Sequence, residues 1–315
     1  MVSQKPSTPL NVQQLIAQQQ KKRRLRRLEK GVPALLFIAA LISVLTTIGI
    51  IGTLIFETIE FFSRVSIVEY VTAREWLPFA GEPVYGILPL VVGTLKVTAI
   101  ALVVALPLGL AVALYLSEFA SDRVRTIVKP VLEVLAGIPT IVYGFFALTF
   151  VTPLLQQIVP QIQIFNAISP GIMIGIMILP TIASLSEDAL SSVPKSLREG
   201  AFGLGATKLE VAMKVVLPAA LSGVVASVVL AISRAIGETM IVSLAGGSTP
   251  LLNFDVAQSI QTMTAYIVQV STGDAGYGTT IYYSIYAVGF TLFLFTFGMN
   301  ILARWISKRF REAYE

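Results

Sequence analysis

The sequence predicts an all-α integral membrane protein with six transmembrane helices. Three observations lead there. Of the 315 residues, 55% are hydrophobic and only 13% carry a charge, with a mean hydropathy of +0.79. An ordinary soluble domain carries about 25% charged residues. Apolar runs almost free of charge recur at the length a bilayer demands, roughly 20 residues. The basic residues gather on alternate connections between those runs. Neither cysteine nor histidine occurs. Disulfides, thiolate metal sites and the commonest general base are therefore excluded.

Residues 32–56 form the first run, without a single charge, behind a tail (1–31) that ends in Lys21, Lys22, Arg23, Arg24, Arg26, Arg27 and Lys30. The tail is too long, and the run too extended, for a cleaved signal peptide. It reads as a permanent anchor, followed by a loop at 57–86. The second run, 87–116, is interrupted only by Lys96, whose long stem is expected to snorkel to the interface. No charge falls between Glu133 and Glu187. That stretch exceeds one span. Pro153, Gln156, Gln157, Pro160, Gln161, Gln163 and Asn166 divide it into spans at 134–151 and 168–185. The fifth span is expected at 217–244 and the sixth at 281–303, with Tyr282, Tyr283, Tyr286 and Trp305 as interfacial aromatics. Residues 87–304 then make a five-helix core, and 305–315 a short tail.

Orientation follows from lysine and arginine. Nineteen lie on the N-terminal side of the membrane and two, Arg64 and Arg74, on the other; Lys96 and Arg234 fall within spans. The positive-inside rule places both termini in the cytoplasm. The charge distribution marks orientation, not a nucleic-acid surface.

The fourth-to-fifth loop (186–216) is the most informative segment. Pro194 suits a helix start, Gly203 and Gly205 interrupt the helix, and Thr207 with Glu210 forms a capping box that restarts it. Gly200, Ala201, Gly203, Gly205 and Ala206 leave one face nearly bare. Such a face suits close approach to another protein. The spacing Glu199-Gly200-Ala201, then Gly205, then Leu217-Pro218 resembles the EAA signature of ABC-importer permeases, with Gly200 where alanine is usual. Tyr85–Thr94, Leu114–Glu118, Leu135–Phe145 and Ser233–Thr239 resemble permeases of the bacterial phosphate-specific (Pst) importer, and the long N-terminal extension lies closer to its PstC-type than its PstA-type permease.

The resemblance implies a type I ABC importer permease fold and transport of inorganic phosphate across a bacterial inner membrane. It implies a loop around Glu199 docked in a groove of a separate ATPase. It also implies a PstA-like second permease, two PstB-like ATPases carrying ATP and magnesium, and a PstS-like periplasmic phosphate-binding protein. No cofactor is expected in this chain.

Arg234 and Glu238 are the charged pair within the fifth span. Four residues apart, they would share a helix face. Arg234 would offer a forked donor to a passing anion, with Glu238 holding it. The structural alternative is a self-neutralising pair that fixes packing. Glu133 is expected to pair with Lys129 or to face solvent. Five glutamates at 57–82 suggest docking of a delivery protein, and 256–270 suggests either a surface helix touching the same partner or an ordered connector. A secondary transporter or channel would need ionisable relays that the spans lack. A membrane enzyme would need a nucleophile elbow, and ATP hydrolysis a Walker A sequence; neither is present.

Overall fold

The computed structural model describes residues 12–309. The expected tails 1–31 and 305–315 lie partly outside them, Lys5 and Arg311 included. Two compact units divide after Phe56. The first holds all but the last turns of the long helix α1, Val12–Arg64, whose apolar stretch begins at Val32. Helix α1 does not stop at the expected residue 56; its last turns belong to the second unit.

That unit opens with a small aromatic cap. Helix α2 (Ile67–Thr72) leads into a two-stranded hairpin, β1 (Trp76–Leu77) paired antiparallel with β2 (Val84–Tyr85). Phe61, Tyr70, Trp76, Tyr85 and Tyr266 are all buried there. Trp76 meets Tyr85 and Tyr266 edge-on, with ring centres 5.7 and 4.9 Å apart. Edge-to-face pairs add stabilisation beyond burial alone.

Helix α3 (Leu88–Leu114) follows and ends in a π-helical turn at Tyr115–Phe119. Helix α4 is Asp122–Gly137. Helix α5 (Thr140–Phe146) passes through a π turn (Ala147–Val151) into α6 (Thr152–Ile158), and α7 is Ile168–Ser191. Helices α3 and α7 form the spine of the bundle. Their approach is set by glycine: a Cβ on Gly175 would lie 2.9 Å from the Ala101 carbonyl oxygen, and one on Gly171 2.6 Å from Ile100. In lipid, where apolar contact gives no advantage over lipid tails, such close packing is what holds helices together. Ala101, Ala105, Ile174, Ile178 and Ile182 fill the seam. Beyond α7 come α8 (Lys195–Gly203), α9 (Lys208–Val211), a π turn (Ala212–Val216) and α10 (Leu217–Ala219). Helix α11 (Leu221–Ile236) packs on α7, where the buried hydroxyls of Ser186 and Ser227 share a hydrogen bond of 2.6 Å. Helices α12 (Met240–Ala245), α13 (Met263–Thr272) and α14 (Thr280–Arg309) complete the chain.

Among the described residues, five helices are long and apolar enough to cross a membrane, and six if the segments Lys208–Ala219 and Leu221–Ile236, bent by 73°, count as one span. Four expectations need correction. The third span lies at Thr140–Ile158, not 134–151. Pro139 forces Ile138 into an extended conformation, which splits off the amphipathic α4. The fifth span is not continuous over 217–244: α11 stops at Ile236, Gly237 to Thr239 are non-helical, and α12 restarts at Met240. Lys96 does not snorkel; it is buried and bonded to the segment between α12 and α13. Residues 256–270 are no surface helix. Residues 256–262 are a non-helical connector, the alternative reading, and 263–270 belong to α13, with Met263, Thr264, Ala265, Tyr266 and Val270 buried.

Candidate functional site

The loop after α7 folds as a helix, a turn and a helix. Helix α8 starts just after Pro194, its N-cap, and ends in a Schellman closure. Gly205 takes φ +84°, its N–H bonds to the Phe202 carbonyl (2.9 Å), and the Ala206 N–H bonds to the Ala201 carbonyl (3.2 Å). Thr207 then opens α9 through the expected capping box with Glu210. Ala201 and Ala206, expected on the bare face, instead turn inward with Leu197 and Leu217 onto Leu190, Val193, Val211 and Val216, so the bare face is made by the glycines alone. On the outer side, a Cβ added at Gly200, Gly203 or Gly205 meets nothing within 4 Å. Glu199 and Pro218 are exposed beside them. Leu204 is 92% exposed, and Phe202, Leu209 and Met213 are exposed as well. The outer face therefore combines bare backbone with projecting apolar side chains. Exposed apolar groups gathered on one face mark a contact surface.

The loop is fastened at its base by charges whose partners the spacing does not reveal. Arg198 Nη2 donates to Glu118 Oε1 (2.9 Å) and to the Leu190 carbonyl (2.8 Å), and Arg198 Nη1 donates to the Val193 carbonyl. Glu118 belongs to the π turn that ends α3; its side chain is 8% exposed and that of Arg198 16%. One guanidinium thus ties α8 to the ends of both α3 and α7. Beside it, Lys208 Nζ lies 5.2 Å from the ring centre of Phe119. A second clamp joins α4 to α7. The fully buried Glu187 takes both Arg125 and Lys129, and Lys129 also reaches Asp188 (3.1 Å). Glu133 is exposed, and Lys129 pairs with Glu187 and Asp188 in its place. These two carboxylates hold the Lys129 ammonium above its ordinary pKa, and the Glu187 hydrogen bond contributes most. Arg198 was legible only as the residue before Glu199, and Glu118 only as the end of the Leu114–Glu118 stretch.

Arg234 and Glu238 do not form the expected pair. The helix break after Ile236 leaves Arg234 on α11 and Glu238 in the non-helical link before α12, and no ion pair joins them. Arg234 is exposed, and its Nη1 donates to Thr181 Oγ1 on α7 (3.2 Å). Thr181 lines a cavity of about 280 Å³ between α4 and α7, with Lys129, Glu133, Pro180 and Ser184 among its walls. Glu238 is 9% exposed. Its Oε1 accepts from the Met240 and Ile241 N–H groups (3.1 and 3.4 Å), so the carboxylate caps α12. Among the described residues no cluster of side chains could hold a metal ion.

Residues 105–312 match the family described as "Binding-protein-dependent transport system inner membrane component". The chain is 36% identical over 279 residues to the "Probable ABC transporter permease protein YqgH" of Bacillus subtilis (strain 168), covering 88% of each chain. It is 33% identical over 260 residues to the "Phosphate transport system permease protein PstC" of Mesorhizobium japonicum, covering 76% of this chain and 78% of that one. A solved bacterial ABC transporter involved in the import of the acidic polysaccharide alginate shares the fold with a TM-score of 0.63 at 17% identity, over 91% of this chain and all of that one (100%). The chain belongs to the family of inner membrane components of binding-protein-dependent transport systems: it is a multi-pass ABC-importer permease, a transporter subunit and not an enzyme.

Proposed function

We propose that this permease conducts inorganic phosphate inward across a bacterial inner membrane, driven by ATP hydrolysis on partner chains. The observation that carries the substrate is the exposed guanidinium of Arg234, which no carboxylate pairs with among the described residues and which donates to Thr181, a residue lining the α4–α7 cavity. A charge kept inside a membrane bundle marks a substrate pathway. An arginine that is not neutralised by its neighbour Glu238 suits a multiply charged oxyanion. The similarity to phosphate transport system permeases supports the same substrate.

Coupling is assigned to Glu199, Gly200, Ala201 and Gly205, with Leu217 and Pro218 carrying the loop into α10. The open outer face would seat in a PstB-like ATPase, one of two that bind ATP and magnesium. Arg198 and Glu118 would pass the ATPase movement to α3 and α7. A PstA-like permease would complete the membrane pair, and a PstS-like periplasmic protein would deliver phosphate. Both termini and the coupling loop then face the cytoplasm.

The test is radiolabelled phosphate uptake in a strain lacking its own copy of this subunit, with arsenate and molybdate as competitors. Restored uptake, blocked by arsenate and not by molybdate, is the expected result. No restoration at normal membrane abundance of all subunits would sink the substrate assignment.

A further inference from the structure

Lys96 carries a buried charge that makes no direct ion pair among the described residues. It sits on α3 with 9% of its surface exposed. Its Nζ donates to Asn253 Oδ1 and to the Asp255 carbonyl oxygen, both at 3.0 Å. Both acceptors are neutral, and an ammonium has three protons to place. A carboxylate is near at hand, yet Asp255 Oδ1 accepts from the Ala257 N–H instead (2.9 Å). No ion pair includes Lys96 among the described residues. Burying an ammonium whose nearest carboxylate, Asp255, acts on it only through space and not by a direct contact is unfavourable. A lysine serving only to pin a loop would be better served by the carboxylate one carbonyl away.

The segment that covers Lys96 continues to the break in the fifth span. Asn253 Nδ2 donates to Gln258 Oε1 (3.2 Å), and the Ile260 N–H bonds to the Gly246 carbonyl (2.8 Å). Gln261 lies so close to α3 that a Cβ on Gly93 would sit 2.2 Å from its carbonyl oxygen. Thr264 Oγ1 donates to the Glu238 carbonyl (2.8 Å). One short stretch of chain therefore runs from the Lys96 ammonium to the backbone of Glu238, at the helix break that follows the helix carrying Arg234.

We propose that Lys96 is a second oxyanion contact on the pathway, at the end of the bundle nearer the hairpin. The Asn253 amide and the Asp255 carbonyl hold the ammonium while the pathway is empty, and a phosphate ion displaces them. A dianion outcompetes neutral acceptors because charge-assisted hydrogen bonds are about twice as strong as neutral ones. Lys96 and Arg234 then form successive positive stations, with the Asn253 segment closing over the first when phosphate leaves. This inference rests on the phosphate reading above.

The test compares Lys96→Gln, Lys96→Arg and Asn253→Ala for radiolabelled phosphate uptake in the complete complex, at saturating phosphate and per assembled complex. Glutamine removes the charge while keeping N–H donors, on a side chain one atom shorter. We expect Lys96→Gln to lower uptake roughly tenfold or more, the scale of one lost charge-assisted hydrogen bond. Lys96→Arg should retain most uptake. Asn253→Ala, which removes one of the two acceptors that hold the ammonium in the empty state, should lower uptake less than Lys96→Gln does. Near-normal uptake by Lys96→Gln, or a loss in Asn253→Ala matching that of Lys96→Gln, would overturn the proposal in favour of a loop pin. Absence of phosphate uptake by the unaltered complex would overturn the phosphate reading itself, a result distinct from either.

Discussion

At Gly205 the backbone takes φ +84°, where a side chain would collide with its own peptide. The loop turns there because the Schellman bonds to Phe202 and Ala201 require it. Gly205→Ala should therefore destabilise the turn by roughly 1 kcal/mol. Gly200→Ala, inside α8 with open space outside, should stabilise the helix by a similar amount of about 0.5–1 kcal/mol. Hydrogen exchange at the Gly205 and Ala206 amides checks both: faster in the first variant, slower or unchanged in the second. For the same reason a bulky residue at Gly205 would test strain and docking together, while Gly200→Trp tests docking alone. Arg198 offers a second check at this scale. Arg198→Met strands the nearly buried Glu118 carboxylate, and losing one partner of a buried pair costs roughly 3 kcal/mol. Adding Glu118→Gln should recover part of that loss, as measured by thermal unfolding in detergent. Equal unfolding temperatures for the single and double variants would contradict the clamp.

Between elements, the buried Glu187 with Arg125 and Lys129 joins α4 to α7. Lys129 has a raised pKa, so its contribution is fully present below the ordinary lysine value of 10.5 and is lost only as pH rises through the higher folded value. The α4–α7 contact should therefore hold from neutral pH to beyond pH 10.5 and loosen above it. A spin-label distance between the two helices checks this. Loosening near neutrality would exclude the clamp. Elements of this kind were only partly legible in the sequence. The capping box at Thr207 and Glu210 was legible because it needs only local spacing. The break at Gly237 was not, because no proline marks it and Arg234 and Glu238, four residues apart, read as one helix face across it. Burial of α13 was equally hidden: Tyr266 looks amphipathic in sequence, and only its contacts with Trp76 and Ser284 take it inside. Long-range charge pairs such as Arg198 with Glu118, 80 positions apart, leave no local trace.

For the whole molecule, span number and the bias of 19 basic residues to two followed from composition, since lipid imposes both. Reporter fusions after Lys129 and Lys214 should read as cytoplasmic, and those near Glu69 and Asp274 as periplasmic. A periplasmic signal from the loop around Glu199 would invalidate the coupling assignment. The central claim is that this chain carries phosphate through the membrane by a docking loop that an ATPase moves. The most direct measurement is phosphate accumulation in proteoliposomes holding the permease pair, the ATPases and a loaded binding protein, with and without ATP. Each condition is run with the unaltered chain and with Gly200→Trp. The account predicts ATP-dependent accumulation with the unaltered chain. With Gly200→Trp, both accumulation and ATPase retention should be lost while the permease remains normally inserted. Accumulation without ATP, or undiminished accumulation by Gly200→Trp at equal abundance, would contradict it.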